Sequence, residues 1–175
     1  MALGAKKDED LMLLVQQGDD TAYAELFARH QRSIFGYTKR FIRDEATAQE
    51  VFQETWLKVH RARATYREGA RFKSWLFAIA ANTTRDAYRS SQRRIQTVDS
   101  PVEARSTQPK PLESLDLQKA IDSLPDTLKE AFVLGAIQGL DHNEIAEALE
   151  INPNNARARI SRARAHLRDQ LKRSS

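Results

Sequence analysis

The stretch 141–168, DHNEIAEALEINPNNARARISRARAHLR, constrains the fold more than any other part of the chain: it specifies two helices, the turn between them and the face each must bury. Asp141 and Glu144 have the D-x-x-E spacing of a capping box, in which each side chain satisfies a backbone N–H that the first helical turn leaves without a partner. Ile145, Ala148 and Leu149 then share one face. Asn152 suits the N-cap of a second helix and Pro153 its first position, where a missing N–H costs nothing. Within that helix Ala156, Ile160, Ala163, Leu167 and Leu171 recur at spacings of four, three, four and four, the stripe of a helix with one face in a core. The opposite arc holds Asn154, Ala158, Ser161 and Ala165, flanked by Arg157, Arg162 and Arg168. Small side chains between guanidinium groups fit a major groove and reach the phosphates at its margins. Five arginines within twelve residues, with one acid only at Asp169, exceed what solubility asks of a surface helix.

The charge is arranged in blocks along the chain. Lys and Arg number 9 against 2 Asp and Glu over residues 61–94, and 7 against 1 over 151–175, whereas 1–60 and 95–150 are acidic, at 8 against 10 and 4 against 11. Two basic surfaces alternating with two acidic ones point to two separate contacts with a polyanion, and to acidic faces left for a protein partner. The chain's 175 residues suffice for one domain or two small ones, each burying a modest core, and two are expected. With no cysteine, disulfides and thiolate metal sites are excluded. No apolar run approaches the roughly 18 to 20 residues of a membrane span, and Met1 to Lys7 lacks the apolar centre of a signal peptide, so a cytoplasmic location is expected.

The predicted architecture is all-α, two small helical domains joined by a flexible linker. Residues 95–114, IQTVDSPVEARSTQPKPLES, carry Pro101, Pro109 and Pro111 among polar side chains without a sustained period, and read as that linker between domains at 8–94 and 115–172. Fully extended it reaches about 65 Å, nearly two turns of B-DNA at about 34 Å each. Helices are expected near 8–17, 20–42, 45–62, 72–93, 115–123 and 126–138. Gly18 and Gly139 close two of them, a break at Arg43-Asp44 separates two more, and Pro125 stands between the last pair. No strand pattern competes.

The first basic block places Tyr66, Arg67 and Arg71 in a loop ahead of a helix whose Phe72, Trp75, Leu76, Ile79 and Ala80 turn inward, with Asn82, Arg85, Arg89, Arg93 and Arg94 along its length. Rings and amides beside arginines suit unpaired bases, which stack and expose hydrogen-bonding edges. Phe72 and Trp75 are expected in the core. Tyr66, in a glycine-containing loop, is expected outside it.

Four motifs in order, VFQETWLKVH at 51–60, FKSWLFAIAAN at 72–82, SLPDTLKEAFVLGAIQGL at 123–140, and NEIAEALEIN followed by RARISRAR at 143–164, resemble those of extracytoplasmic-function (ECF) sigma factors. These bacterial transcription-initiation subunits keep only regions 2 and 4 of the sigma-70 family. The resemblance runs from about Asp10 to Lys172, with the linker in the expected place. It implies that Glu50, Gln53 and Glu54 face the clamp of bacterial core RNA polymerase. Tyr66, Arg67, Arg71, Lys73, Asn82 and Arg85 would read the minus-ten element of promoter DNA, with one base flipped from the nontemplate strand. Asn154, Asn155, Arg157, Arg159 and Arg162 would read the minus-thirty-five element, and Thr127 to Gln138 would lie near the polymerase flap. An anti-sigma factor acting in trans is a further implied partner.

The chain departs from the family pattern at several places. Glu150 stands at a turn where glycine is frequent, so a reshaped turn is expected, since positive φ costs a non-glycine residue on the order of 1 kcal/mol. Ala156 replaces a usual β-branched residue, predicting looser packing there. Arginines common at the positions of Ala78 and Ala81 are absent, and Asn152-Pro153-Asn154-Asn155 is unusual. The alternative function is a helix-turn-helix regulator that acts without being a polymerase subunit. Against an enzyme, His30, His60, His142 and His166 are scattered without ligand spacing, no glycine-rich phosphate loop is present and the acids form no metal cluster, so neither cofactor nor metal is expected.

Overall fold

The computed structural model describes residues 3–97 and 112–174. The chain divides into two compact units, Met1–Val102 and Glu103–Ser175, and the described residues contain helices and no strand.

In the first unit four helices, α1 (Asp8–Gln16), α2 (Asp20–Phe41), α3 (Glu45–Ala62) and α4 (Phe72–Thr97), pack on one another. Their starts are set locally. Asp19 accepts from the N–H groups of Thr21 (2.9 Å) and Ala22 (3.0 Å) to open α2, and Asp44 accepts from Thr47 N–H (2.8 Å) to open α3, satisfying donors that have no partner within the helix. On α3 the buried positions are Ala48, Val51, Phe52, Thr55, Trp56 and Val59, a three-four spacing that makes one continuous stripe. It meets α2, where the Phe27 ring lies 4.9 Å from that of Trp56 and 5.9 Å from that of Phe52. From α4, Phe72, Leu76 and Phe77 are fully enclosed. Each such side chain contributes about 1.5 to 3 kcal/mol by leaving water, and cutting Leu76 or Phe77 back to alanine would add a cavity cost.

The second unit holds α5 (Leu112–Asp122), α6 (Asp126–Phe132), α7 (His142–Leu149) and α8 (Pro153–Ser174). The helix expected at 126–138 ends in a wider π turn over Val133–Ile137. Gly135 lies in it, where an added Cβ would meet Ile145 Cδ1 at 3.2 Å and Ile160 Cδ1 at 3.4 Å, so glycine lets α7 and α8 approach this backbone closely. The capping box forms, with Asp141 accepting from Asn143 and Glu144 N–H, and Glu144 accepting from Asp141 N–H at 2.7 Å. Asn152 caps α8 through Asn155 N–H at 2.8 Å.

One expectation needs correction. The turn after α7 is not reshaped: Glu150 itself adopts the left-handed conformation (φ 55°, ψ 43°). Ile151 N–H reaches Ala146 O (2.9 Å) and Glu150 N–H reaches Glu147 O (3.3 Å), the paired bonds of a Schellman motif that satisfy carbonyls at the helix end and offset the strain. Within the segment expected as the linker, α4 runs on to Thr97 and α5 begins at Leu112. The rest of that segment, 98–111, lies outside the described residues.

Candidate nucleic-acid interface

On α8 the core stripe is as the spacing predicts: Ala156 and Ala163 are fully buried, Ile160 and Leu167 nearly so, while Leu171 is half-buried. With about 100° of turn per residue, the remaining positions sort by side. Asn154, Asn155, Arg157, Ser161 and Arg162 are exposed: Asn155 and Arg162, seven residues apart, lie to one side of the outward arc, Arg157 to the other, and Asn154 and Ser161 between them. Arg159, two residues from Arg157, falls on the opposite flank and is half-buried. Four of the five predicted residues are therefore exposed along the outward arc, with Arg157 at one edge of it and half-buried Arg159 at the other. Ala156 is fully buried in the core stripe.

In the first unit the basic surface is built around the loop between α3 and α4. A 3-10 turn, Arg63–Thr65, leads to Tyr66, and residues 67–71 then arch over to Phe72 at the start of α4. Arg67, Gly69 and Arg71 are exposed, and Gly69 has φ 83°. Tyr66 corrects the sequence reading, for it is 4% exposed and belongs to the core. Its ring stands edge-on to Trp75 at 5.5 Å and to Phe72 at 6.2 Å, and its hydroxyl donates to Ala70 O, closing the loop from beneath. A ring so placed carries the loop and offers no free face for a base. Burial, reinforced by the nearby carboxylates of Glu9 and Asp8, pushes the Tyr66 hydroxyl up to about 12, so it remains a neutral donor. Gly69 marked this segment as a loop, yet the three rings of Tyr66, Phe72 and Trp75 lie close enough in the chain for Tyr66 to be drawn inward with the other two.

Along α4, Asn82 is exposed and accepts from Arg85 Nη1 at 2.9 Å, and Lys73 and Arg85 are half-buried. Ala81 is fully buried and Ala78 half-buried. A cation at 81 would lie inside this packing, where an unpaired charge is costly, so alanine there is a core choice. Across from Asn82, α3 contributes Lys58 and Arg61 to an open cleft of about 440 Å³ that Ala62, Ile79 and Thr83 complete. The sequence reading passed over Lys58 and assigned Arg61 no role; only the pairing of α3 with α4 sets both cations opposite Asn82.

A third surface lies on α3. Glu50 and Gln53 are exposed and Glu54 is half-buried, and Leu57 stands beside them, four residues beyond Gln53 and 50% exposed. A large apolar side chain on the polar arc of an amphipathic helix departs from the buried stripe, and that departure is visible in the sequence.

These features define a two-part helical nucleic-acid-binding protein, with an arginine-bearing helix in one unit and a basic loop over an aromatic base in the other. Comparison with known proteins agrees. The Sigma-70 region 2 family matches residues 26–94 and the Sigma-70 region 4 family residues 114–167. RNA polymerase sigma factor CarQ of Myxococcus xanthus is 35% identical over 162 residues, covering 89% of this chain and 92% of that protein. The ECF RNA polymerase sigma-E factor of Escherichia coli K12 is 30% identical over 173 residues, covering 90% of each. Among solved structures, CnrH in complex with the cytosolic domain of CnrY superposes with a TM-score of 0.75 at 26% identity, covering 96% of this chain and 99% of that one. The chain belongs to the ECF sigma factors of the sigma-70 family, which direct RNA polymerase to promoters. The likeness extends over both units, so a free-standing regulator is not favoured. No described helix is long and apolar enough to cross a membrane.

Proposed function

We propose that residues 8–94 act as region 2 and 115–172 as region 4, with the chain between them as a tether. Asn154, Asn155, Arg157 and Arg162 read the minus-thirty-five duplex from the outward face of α8, and Arg159 contacts its backbone from the flank. In region 2 the loop at 67–71, with Arg67 and Arg71 exposed on it and Tyr66 supporting it, captures a base from the nontemplate strand. Lys73, Asn82 and Arg85 hold that strand along α4, joined across the cleft by Lys58 and Arg61. Unpairing costs a few kcal/mol per step, which contacts to the captured base offset. Glu50, Gln53, Glu54 and Leu57 dock on core polymerase, the carboxylates against a basic partner and Leu57 in an apolar contact.

The observation that carries this reading is the contrast between the two arginine surfaces. One is a straight helix face with small side chains at its centre, shaped for a groove; the other is a short arch on aromatic rings, shaped for an unpaired base. The chain performs no covalent chemistry and needs no cofactor: it binds, positions and melts, and it works in the cytoplasm. An anti-sigma factor covers its polymerase-binding surfaces, a reading supported by the likeness to CnrH, which was solved in complex with the cytosolic domain of CnrY. The test adds the purified protein to sigma-free core polymerase with genomic DNA fragments from its source and sequences the transcript starts. Defined starts that share two upstream elements, and that are absent without the protein, are the expected result; no starts would overturn it.

A further inference from the structure

Both ends of the arch at 67–71 are held by one helix that lies before the matched region 2 span of 26–94. At the upstream end, Gln16 on α1 uses its side-chain amide Nε2 to donate to two main-chain carbonyls, Arg63 O at 2.8 Å and Tyr66 O at 2.7 Å. At the downstream end, Glu9 on α1 accepts from Phe72 N–H at 3.1 Å, one of the donors that the first turn of α4 leaves open. Glu9 and Gln16 are seven residues apart and so lie on one face of α1, with fully buried Met12 between them. The helix is itself tied to α2: Asp8 pairs with Arg29 at 2.8 Å and with His30 Nε2 at 2.6 Å.

From this juxtaposition we infer that Gln16 and Glu9 are positioning residues for base capture, setting the span and curvature of the arch so that Arg67 and Arg71 meet the strand already arranged. The inference rests on the base-capture role given above to residues 67–71. Its physical content is pre-organisation. An arch with both feet pinned and its middle closed by the Tyr66 hydroxyl loses little further freedom when a base enters, so contact energy goes into discrimination instead of ordering. Gln16 suits the task because an amide NH2 offers two donors from one atom, and the two carbonyls it joins bracket the 3-10 turn that leads into the arch. Neither residue needs to touch DNA.

The substitution Gln16→Glu keeps size and shape but replaces the two donors with carboxylate oxygens facing two carbonyls. Gln16→Lys returns donors. The assay uses holoenzyme and single-stranded nontemplate oligonucleotides spanning the minus-ten element of a promoter mapped from transcript starts, in four versions at the position where the parent discriminates most. Gln16→Glu is expected to lower the preference for the best base over the others by about tenfold, and Gln16→Lys to restore part of it. Affinity for core polymerase should stay with the parent, and the thermal midpoint should fall by no more than the several degrees that two lost hydrogen bonds account for. Discrimination unchanged in Gln16→Glu overturns the inference. So does a loss of discrimination that only parallels loss of polymerase affinity and thermal stability, since that marks a merely structural role. A parent that shows no preference at any position overturns base capture at 67–71 and this inference with it, an outcome separable from the other two.

Discussion

Replacing Glu150 with glycine is expected to stabilise the second unit by about 1 kcal/mol. A non-glycine residue in the left-handed region carries a penalty of roughly 1 to 2 kcal/mol from its Cβ against the following carbonyl, and Glu150 sits there at φ 55° and ψ 43°. Glycine removes that penalty but adds about 0.5 to 1 kcal/mol of backbone entropy lost on folding. The substitution also takes a carboxylate away from the C-terminal end of α7, where the partial charge is negative, a relief of about 0.3 kcal/mol for an exposed side chain. For a unit of this size 1 kcal/mol moves a thermal midpoint by about 4 to 8 °C. The tryptophans separate the two units in the assay. Both, Trp56 and Trp75, lie in the first unit, so fluorescence follows that unit alone while far-ultraviolet circular dichroism follows both. Glu150→Gly should raise the midpoint of the dichroism step that fluorescence does not report, leaving the fluorescence midpoint in place. Glu150→Gln, which removes the charge and keeps the strain, should recover no more than the small electrostatic part. A Glu150→Gly variant with both midpoints unchanged, or a Glu150→Gln variant equal to it, would refute the strain argument.

Three further outcomes are expected. Arg157→Ala or Arg162→Ala should weaken holoenzyme binding to a promoter duplex by roughly 1 to 3 kcal/mol where the contact is bidentate to guanine, and the parent's affinity should fall steeply with salt; equal affinities by fluorescence anisotropy would remove that residue from the reading surface. Leu57→Asp should reduce affinity for core polymerase about tenfold or more without changing the thermal midpoint, because the side chain is 50% exposed and its apolar area is buried only on docking; competition against the parent for polymerase decides it. Asp8, whose carboxyl is held below its usual 3.8 chiefly by the hydrogen bond from His30, adds stability that is present above that value and is lost as pH falls through the lower folded one. Asp8→Asn should therefore be less stable than the parent at neutral pH and converge with it in acid, and a constant gap across the range would dismiss the linkage.

Helix boundaries were legible wherever the deciding contact is local. Asp141 with Glu144, Asn152 with Pro153, and the closing positions of Gly18 and Gly139 all work within a few residues, so spacing alone announces them. The outward face of α8 was legible for the same reason, since the 3.6-residue period that turns Ala156 and Ile160 into the core turns Asn155 and Arg162 away from it. Leu57 is visible in the sequence as an apolar residue off the buried stripe of α3, but only the packed helix shows that half of its surface stays exposed.

Helical composition, the division into two units, the arginine helix and the family could all be read along the chain without its folded form. How the arch at 67–71 is held could not: Tyr66 turns inward, Lys58 and Arg61 stand across from Asn82, and Gln16 grips carbonyls 47 and 50 residues away. The difference is one of range. Capping and periodicity act through bonds closed within a turn or two of helix and leave a repeating mark in the chain, whereas the grip of α1 on the arch joins segments whose proximity arises only when the helices pack, and no local spacing records it.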